Sequence, residues 1–233
     1  GSEMCIRDSA WDALEDLSTV DFNKLGFPEG TRDAMLSQLQ GLVSYFYLKG
    51  LDMFGGMPLY TTTQSDIKPR STDVRTFEFI DSLLTEALPN VPVKTELGAK
   101  ETGAINAAAI ATMKAQLYFN APSYIRQEKW QECADICKDI IEGKYGKYDI
   151  DPDWTNVFGF NNDTSPEIIW SVPSEHAKLE SDGMHWSRMV PYNFRNYLGG
   201  LEDSGSNNGI ALMPGLDPTG TPYTTKLGRI YSK

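Results

Sequence analysis

Apolar residues recur at helical spacing through the first two thirds of the chain, and then the spacing is lost. The clearest stretch is Thr102 to Tyr145. Ala104, Ala108, Ala111, Ala115 and Tyr118 stand three or four residues apart, which predicts a helix over about 104–120 with a face of small side chains. Trp130, Cys133, Ala134, Cys137, Ile140 and Ile141 repeat the pattern over about 128–142, with Glu132, Asp135, Lys138 and Asp139 opposite. Pro122 and Ser123 break the two helices, and Gly143 stands where a C-cap belongs. A small-residue helix followed by a Trp-led one has the form of a tetratricopeptide-type hairpin. Such a hairpin does not bury its apolar face alone, so further helices are expected on it.

Upstream, Trp11, Leu14, Leu17 and Val20 predict a short helix over Ala10–Val20. Thr31 is the expected N-cap of a long helix running to about Phe54, with Met35, Leu39, Leu42, Val43, Phe46, Tyr47 and Leu51 on its buried face. Gly55, Gly56 and Pro58 end that helix, and a helix-terminating turn explains the paired glycines better than a ligand-approach site does. Ser71 or Thr72 caps a third helix, about Asp73 to Ala87, with Phe77, Ile80, Leu84, Ala87 and Leu88 inward. Residues 93–103 read as an exposed polar loop.

After Gly143 the texture changes. Tyr145, Tyr148, Trp154, Phe158 and Phe160 are separated by Gly, Asp, Asn and Pro. Ile168–Pro173 is the only run that reads as a strand. From Ser174 onward there is no sustained period, and glycines punctuate the chain. The expected architecture is mainly α, an α-α superhelix of tetratricopeptide-like hairpins with a long loop-rich, strand-poor second half. The scaffold spans about 10–145 and the loop-rich part about 146–233. Residues 1–9 show no periodicity and are expected to lie outside the domain. The end at Lys233 carries no terminating signal, so a domain truncated at both ends is expected.

Composition narrows the function. The chain has 233 residues and an ordinary apolar content of 40%, enough for a substantial core. No apolar run is long enough for a transmembrane helix. A net charge of −11 argues against nucleic acid as partner. Cys133 and Cys137 lie one helical turn apart with no His or third Cys beside them, and read as small buried apolar residues. Asp149, Asp151 and Asp153 alternate like part of a calcium loop but lack its downstream Gly and Glu, so no metal is assigned. His176 and His185 fall in no catalytic pattern, and no catalytic residue or cofactor is assigned.

Several motifs together resemble the SusD/RagB family. These are YFYLKGLDMFGGMPLYTT (Tyr45 to Thr62), RST (Arg70 to Thr72), LTEALPNVP (Leu84 to Pro92), QLYFNA (Gln116 to Ala121), IIEGKY (Ile140 to Tyr145) and SPEIIWSVP (Ser165 to Pro173). The resemblance implies a helical superhelix whose long loops carry a ligand site. It also implies a glycan- or nutrient-binding lipoprotein on the outer-membrane surface of Bacteroidota, seated on a SusC-like TonB-dependent transporter and tethered by a lipid anchor. The lipidated cysteine of such proteins has no counterpart at Cys5, which follows no apolar stretch.

The resemblance fixes no ligand residue, so candidates come from chemistry. Sugar rings stack their apolar faces on aromatic side chains, and their hydroxyls need planar polar partners. Trp186, Arg188, Tyr192, Asn193, Phe194 and Tyr197 interleave both kinds in one loop and are the expected ligand-binding residues. The same aromatics would also serve to pin a long loop to the helices. The polar loops 161–165 and 205–209 are explained by turn chemistry. Two other function classes compete with glycan binding: a tetratricopeptide scaffold for peptides, and a helical glycoside hydrolase whose paired carboxylates would meet only in three dimensions.

Overall fold

A computed structural model of the chain describes residues 2–63, 67–100, 102–159 and 162–172, with side chains from Ser9 onward. The chain divides at Pro173 into two units, and all of the described residues lie in the first. The helices are α1 (Ser2–Thr19), α2 (Thr31–Phe54), α3 (Asp73–Ala87), α4 (Ala107–Phe119), α5 (Ala121–Ile125), α6 (Trp130–Ile141) and the single turn α7 (Trp154–Val157). The fold is mainly α, and each long helix packs chiefly on its neighbours in the chain: α1 on α2, α2 on α3, α3 on α4, α4 on α6. That serial stacking is the arrangement the hairpin pattern predicts.

The core lies between α2, α3 and α4. Val43, Tyr47, Leu48 and Leu51 of α2 meet Phe77, Ile80 and Leu84 of α3, and Ile110 and Leu117 close the layer from α4. Fully burying one such side chain is worth roughly 1.5–3 kcal/mol. A second, smaller cluster joins α4 to α6 through Ala111, Ala115 and Ile136. Helix α4 is therefore buried on opposite sides, and its alanines let α6 approach closely.

Most helix boundaries match the spacing, and the departures have local causes. Helical backbone begins at Ser2, ahead of Ala10. Gly30, at φ +81°, takes the N-cap position expected of Thr31, which is instead the first helical residue. Helix α3 is capped by Thr72, whose side chain accepts the amide of Arg75. Helix α4 starts at Ala107 because Asn106 caps it, accepting the Ala109 amide at 2.9 Å, so Ala104 lies outside it and is exposed.

The buried faces differ in detail. On α2, Met35 is exposed, and the buried residues include Ser37, Gly41, Ser44 and Gly50. These small side chains admit the bulky ones opposite: a Cβ on Gly41 would stand 3.0 Å from Ile105 and 3.1 Å from Ile110. On α6 the buried residue is Ile136; Cys133, Cys137 and Ile140 are half-buried, and Ala134 and Ile141 face solvent. The narrow alanine face of α4 covers only one line of α6, which explains the partial burial of the expected stripe.

The connection from α2 to α3 is a locked turn. Gly55 adopts φ +74° and its amide closes on Leu51. Arg70 then donates through Nε to the Gly56 carbonyl at 2.7 Å and through Nη2 to that of Phe54. These bonds satisfy carbonyls that a helix end leaves without intrahelical partners.

Candidate functional site

Beyond α6 a polar lobe of residues 146–172 lies against the loop 93–103. The backbone joins them at one parallel bridge, Lys94 to Gly146, where the Lys147 amide donates to the Lys94 carbonyl at 2.9 Å. Lys100 pairs with Asp163 at 3.1 Å, and the Lys94 ammonium lies 5.3 Å from the Tyr148 ring centroid.

Of the run Ile168–Pro173 expected as a strand, the described residues 168–172 do not form one. Their carbonyls are taken one at a time by side chains: Asn106 Nδ2 donates to Ile169 at 2.7 Å and Lys94 Nζ to Ile168 at 3.4 Å. Trp170 anchors the segment, donating its indole N–H to the Gly103 carbonyl at 3.0 Å and meeting the Tyr45 ring edge-on at 5.3 Å. Side-chain donors thus occupy the places a neighbouring strand would fill, and the described residues contain no strand.

Asp151 organises the lobe. Its carboxylate accepts the Asp153 amide at 3.1 Å, Asn156 Nδ2 at 3.1 Å and the Ser165 hydroxyl at 2.9 Å. Those donors hold the carboxyl below the usual carboxylate range, the Asp153 amide foremost and then the Ser165 hydroxyl. Asp153 caps α7, accepting the amide and hydroxyl of Thr155. The alternating aspartates that resemble part of a calcium loop are therefore turn-forming and cap-forming groups, with Asp151 buried among protein donors.

This scaffold presents an open cleft and two bare aromatic rings. The cleft, about 570 Å³, is lined by Asp151, Pro152, Thr155, Asn156, Thr164 and Ser165 among others. On the same turn of chain, Trp154 and Phe158 are 70% and 77% exposed, with ring centroids 5.8 Å apart and planes inclined by 64°. Two non-parallel aromatic faces beside hydroxyl and amide groups are suited to a ligand with both apolar faces and hydroxyl edges. The sequence carries a signal for this pair. Trp and Phe stand four apart in a stretch that is mostly Asp, Pro, Thr, Asn and Gly, without the sustained apolar period of a buried helix.

Trp186, Arg188, Tyr192, Asn193, Phe194 and Tyr197 lie outside the described residues, as do His176, His185 and the loop 205–209. Cys133 and Cys137 are half-buried free thiols on α6. Cys133 lies against α4, 3.4 Å from the Ala115 carbonyl, and burial pushes its thiol up from the ordinary value.

A serial helical stack carrying an irregular polar lobe defines an α-superhelical architecture. No family model matches the chain, and no curated protein matches it. Solved structures do. A SusD superfamily protein from Bacteroides vulgatus superposes with a TM-score of 0.66 at 15% identity, over 93% of this chain and 41% of that one. Surface glycan-binding protein A from Bacteroides uniformis gives 0.58 at 19% identity, over 70% and 35%. Its counterpart from Bacteroides thetaiotaomicron, in complex with laminarihexaose, gives 0.56 at 18%, over 70% and 32%. The chain has the SusD-like fold, and it spans 32–41% of the length of these proteins.

Proposed function

We propose that the chain is part of a non-catalytic binding protein that captures an oligosaccharide at the outer-membrane surface and delivers it to a SusC-like TonB-dependent transporter. The observation that carries this reading is the SusD-like fold, shared with a glycan-binding protein whose structure holds laminarihexaose. The open cleft beside exposed aromatic rings fits it, because stacking and hydrogen bonding bind a sugar without covalent chemistry. On this reading a lipid anchor holds the protein at the outer leaflet, and Trp186, Arg188, Tyr192, Asn193, Phe194 and Tyr197 supply further ligand contacts.

Calorimetry of the protein against a glycan panel that includes laminarihexaose tests capture, and saturable binding to at least one oligosaccharide is expected. Unchanged affinity in Trp186→Ala and Tyr192→Ala would remove the downstream loop from the site. Affinity purification from detergent-solubilised outer membranes tests the transporter, and recovery of no TonB-dependent barrel would refute that part.

A further inference from the structure

Resting on the glycan-binding reading, we propose that Trp154, Phe158 and the adjoining cleft form a subsite for an uncharged oligosaccharide chain, one that excludes uronates and sulfated glycans.

Exposure comes first. A Trp and a Phe on one turn, both mostly bare, leave a large apolar area in water that a hexopyranose face would cover. Their inclined planes offer two successive rings of a curved chain one face each. Trp130, the exposed indole of α6, is half-covered by comparison, and its ring meets Phe119 edge-on.

Charge comes second. The lobe from Lys147 to Val172 holds Asp149, Asp151, Asp153, Asp163 and Glu167 against the single cation Lys147. Two cations face it and both are engaged, Lys100 with Asp163 and Lys94 with the Ile168 carbonyl and the Tyr148 ring, which leaves the lobe net acidic. An anionic glycan would approach this surface against a negative field that persists over about 8 Å at physiological salt. It would also find no arginine in the lobe to pair with its carboxylates or sulfates. A neutral chain meets neither obstacle, and a cleft lined by Thr155, Asn156 and Thr164 suits its hydroxyl edges.

The experiment is calorimetry of the full chain with neutral gluco-, manno- and xylohexaose and with hexagalacturonate and a sulfated hexaose. Binding of a neutral hexaose is expected, weakened about tenfold or more by Trp154→Ala and by Phe158→Ala, as for an aromatic anchor. Trp154→Phe, which keeps a ring, stays within about threefold of the parent. Trp130→Ala leaves affinity unchanged. Thermal midpoints equal to the parent's show that the exposed substitutions leave the fold intact.

Neutral-glycan binding that survives Trp154→Ala and Phe158→Ala undiminished overturns the subsite and leaves glycan capture standing. Acidic hexaoses bound as tightly as neutral ones, with the binding lost in Trp154→Ala, overturn the charge selection alone. Absence of binding to every glycan overturns this inference and the reading beneath it together.

Discussion

The ammonium of Lys114 on α4 lies 2.5 Å from the carboxylate of Asp81 on α3, inside the helix-helix interface. The lysine side chain is 9% exposed and the aspartate 30%. Lys114 also donates to Thr85 at 2.6 Å, and the Tyr118 hydroxyl donates to the same Asp81 oxygen at 2.7 Å. One carboxylate therefore satisfies two groups of α4 and fixes its register on α3.

The unequal burial predicts unequal costs. Asp81→Ala leaves a desolvated ammonium with one neutral partner and is expected to cost about 3 kcal/mol. Lys114→Met fills the same space with an apolar chain and leaves a carboxylate that water reaches, at about 1 kcal/mol. Denaturant unfolding of the two variants checks the order. Equal losses would mean that the pair behaves as a surface ion pair.

Gly56 lies where α2's end meets α3's start. A Cβ there would stand 2.1 Å from the Ser71 carbonyl oxygen and under 3 Å from backbone atoms of Thr72 and Asp73. Backbone cannot swing aside, so Gly56→Ala is expected to destabilise by about 1–3 kcal/mol, as overpacking does. Gly30→Ala meets no atom within 4 Å and carries only the strain of φ +81°, about 1 kcal/mol. Thermal or urea unfolding separates the two effects.

How much of this was legible in the sequence depends on which force sets each element. Helix α3 was legible in its span and period, with Ile80 and Leu84 inward as expected, and the structure chooses Thr72 over Ser71 as its cap. The buried face of α2 was legible in part: Val43, Tyr47 and Leu51 are inward as the period predicts, but so are Gly41 and Ser44, small residues that hydrophobicity does not register. Ile168–Val172 reads as a strand from its apolar run, yet its partners are Asn106 and Lys94, far away in sequence. The site divides in the same way. Trp154 and Phe158 are visible as aromatics, but their exposure follows from the Asp151 hydrogen bonds, which meet only on folding. The aromatic loop from Trp186 to Tyr197 lies outside the described residues.

Two tyrosines predict the response to alkali. Burial raises the Tyr118 hydroxyl above its ordinary value near 10, followed by its hydrogen bond to Asp81 and the charge of that carboxylate. Tyr124 is raised by burial and then by Asp52, whose carboxylate it meets at 2.9 Å. A group with a raised folded-state value contributes stability that is complete below the unfolded value and is lost as pH rises beyond it. Stability is therefore expected to fall above about pH 10, where unfolded tyrosine ionises. The Tyr118→Phe, Tyr124→Phe double variant should show a shallower fall. Urea midpoints between pH 8 and 11 measure it, and identical slopes would contradict the assignment.

Asp151 governs the lobe that carries Trp154 and Phe158, and its two substitutions separate geometry from charge. Asp151→Ala removes the acceptor for Asp153, Asn156 and Ser165 together. Residues 149–168 are then expected to be cut by protease much faster than in the parent, while unfolding of the helical core is unchanged. Asp151→Asn keeps the interactions: its amide oxygen accepts from Asp153 and Asn156, and its NH2 donates to the Ser165 hydroxyl, so protease resistance is retained. The variants also differ in acid. The parent carboxyl is held below its ordinary range, first by the Asp153 amide and then by Ser165. Its contribution is complete above the unfolded value of about 3.9 and is lost as pH falls through the lower folded one. In the parent, the backbone amide resonance of Asp153 should shift with a midpoint below that value. In Asp151→Asn the low-pH step should be absent from that resonance. A step that persists there would assign the titration to Asp153, whose own carboxyl is held low by the Thr155 hydroxyl and amide.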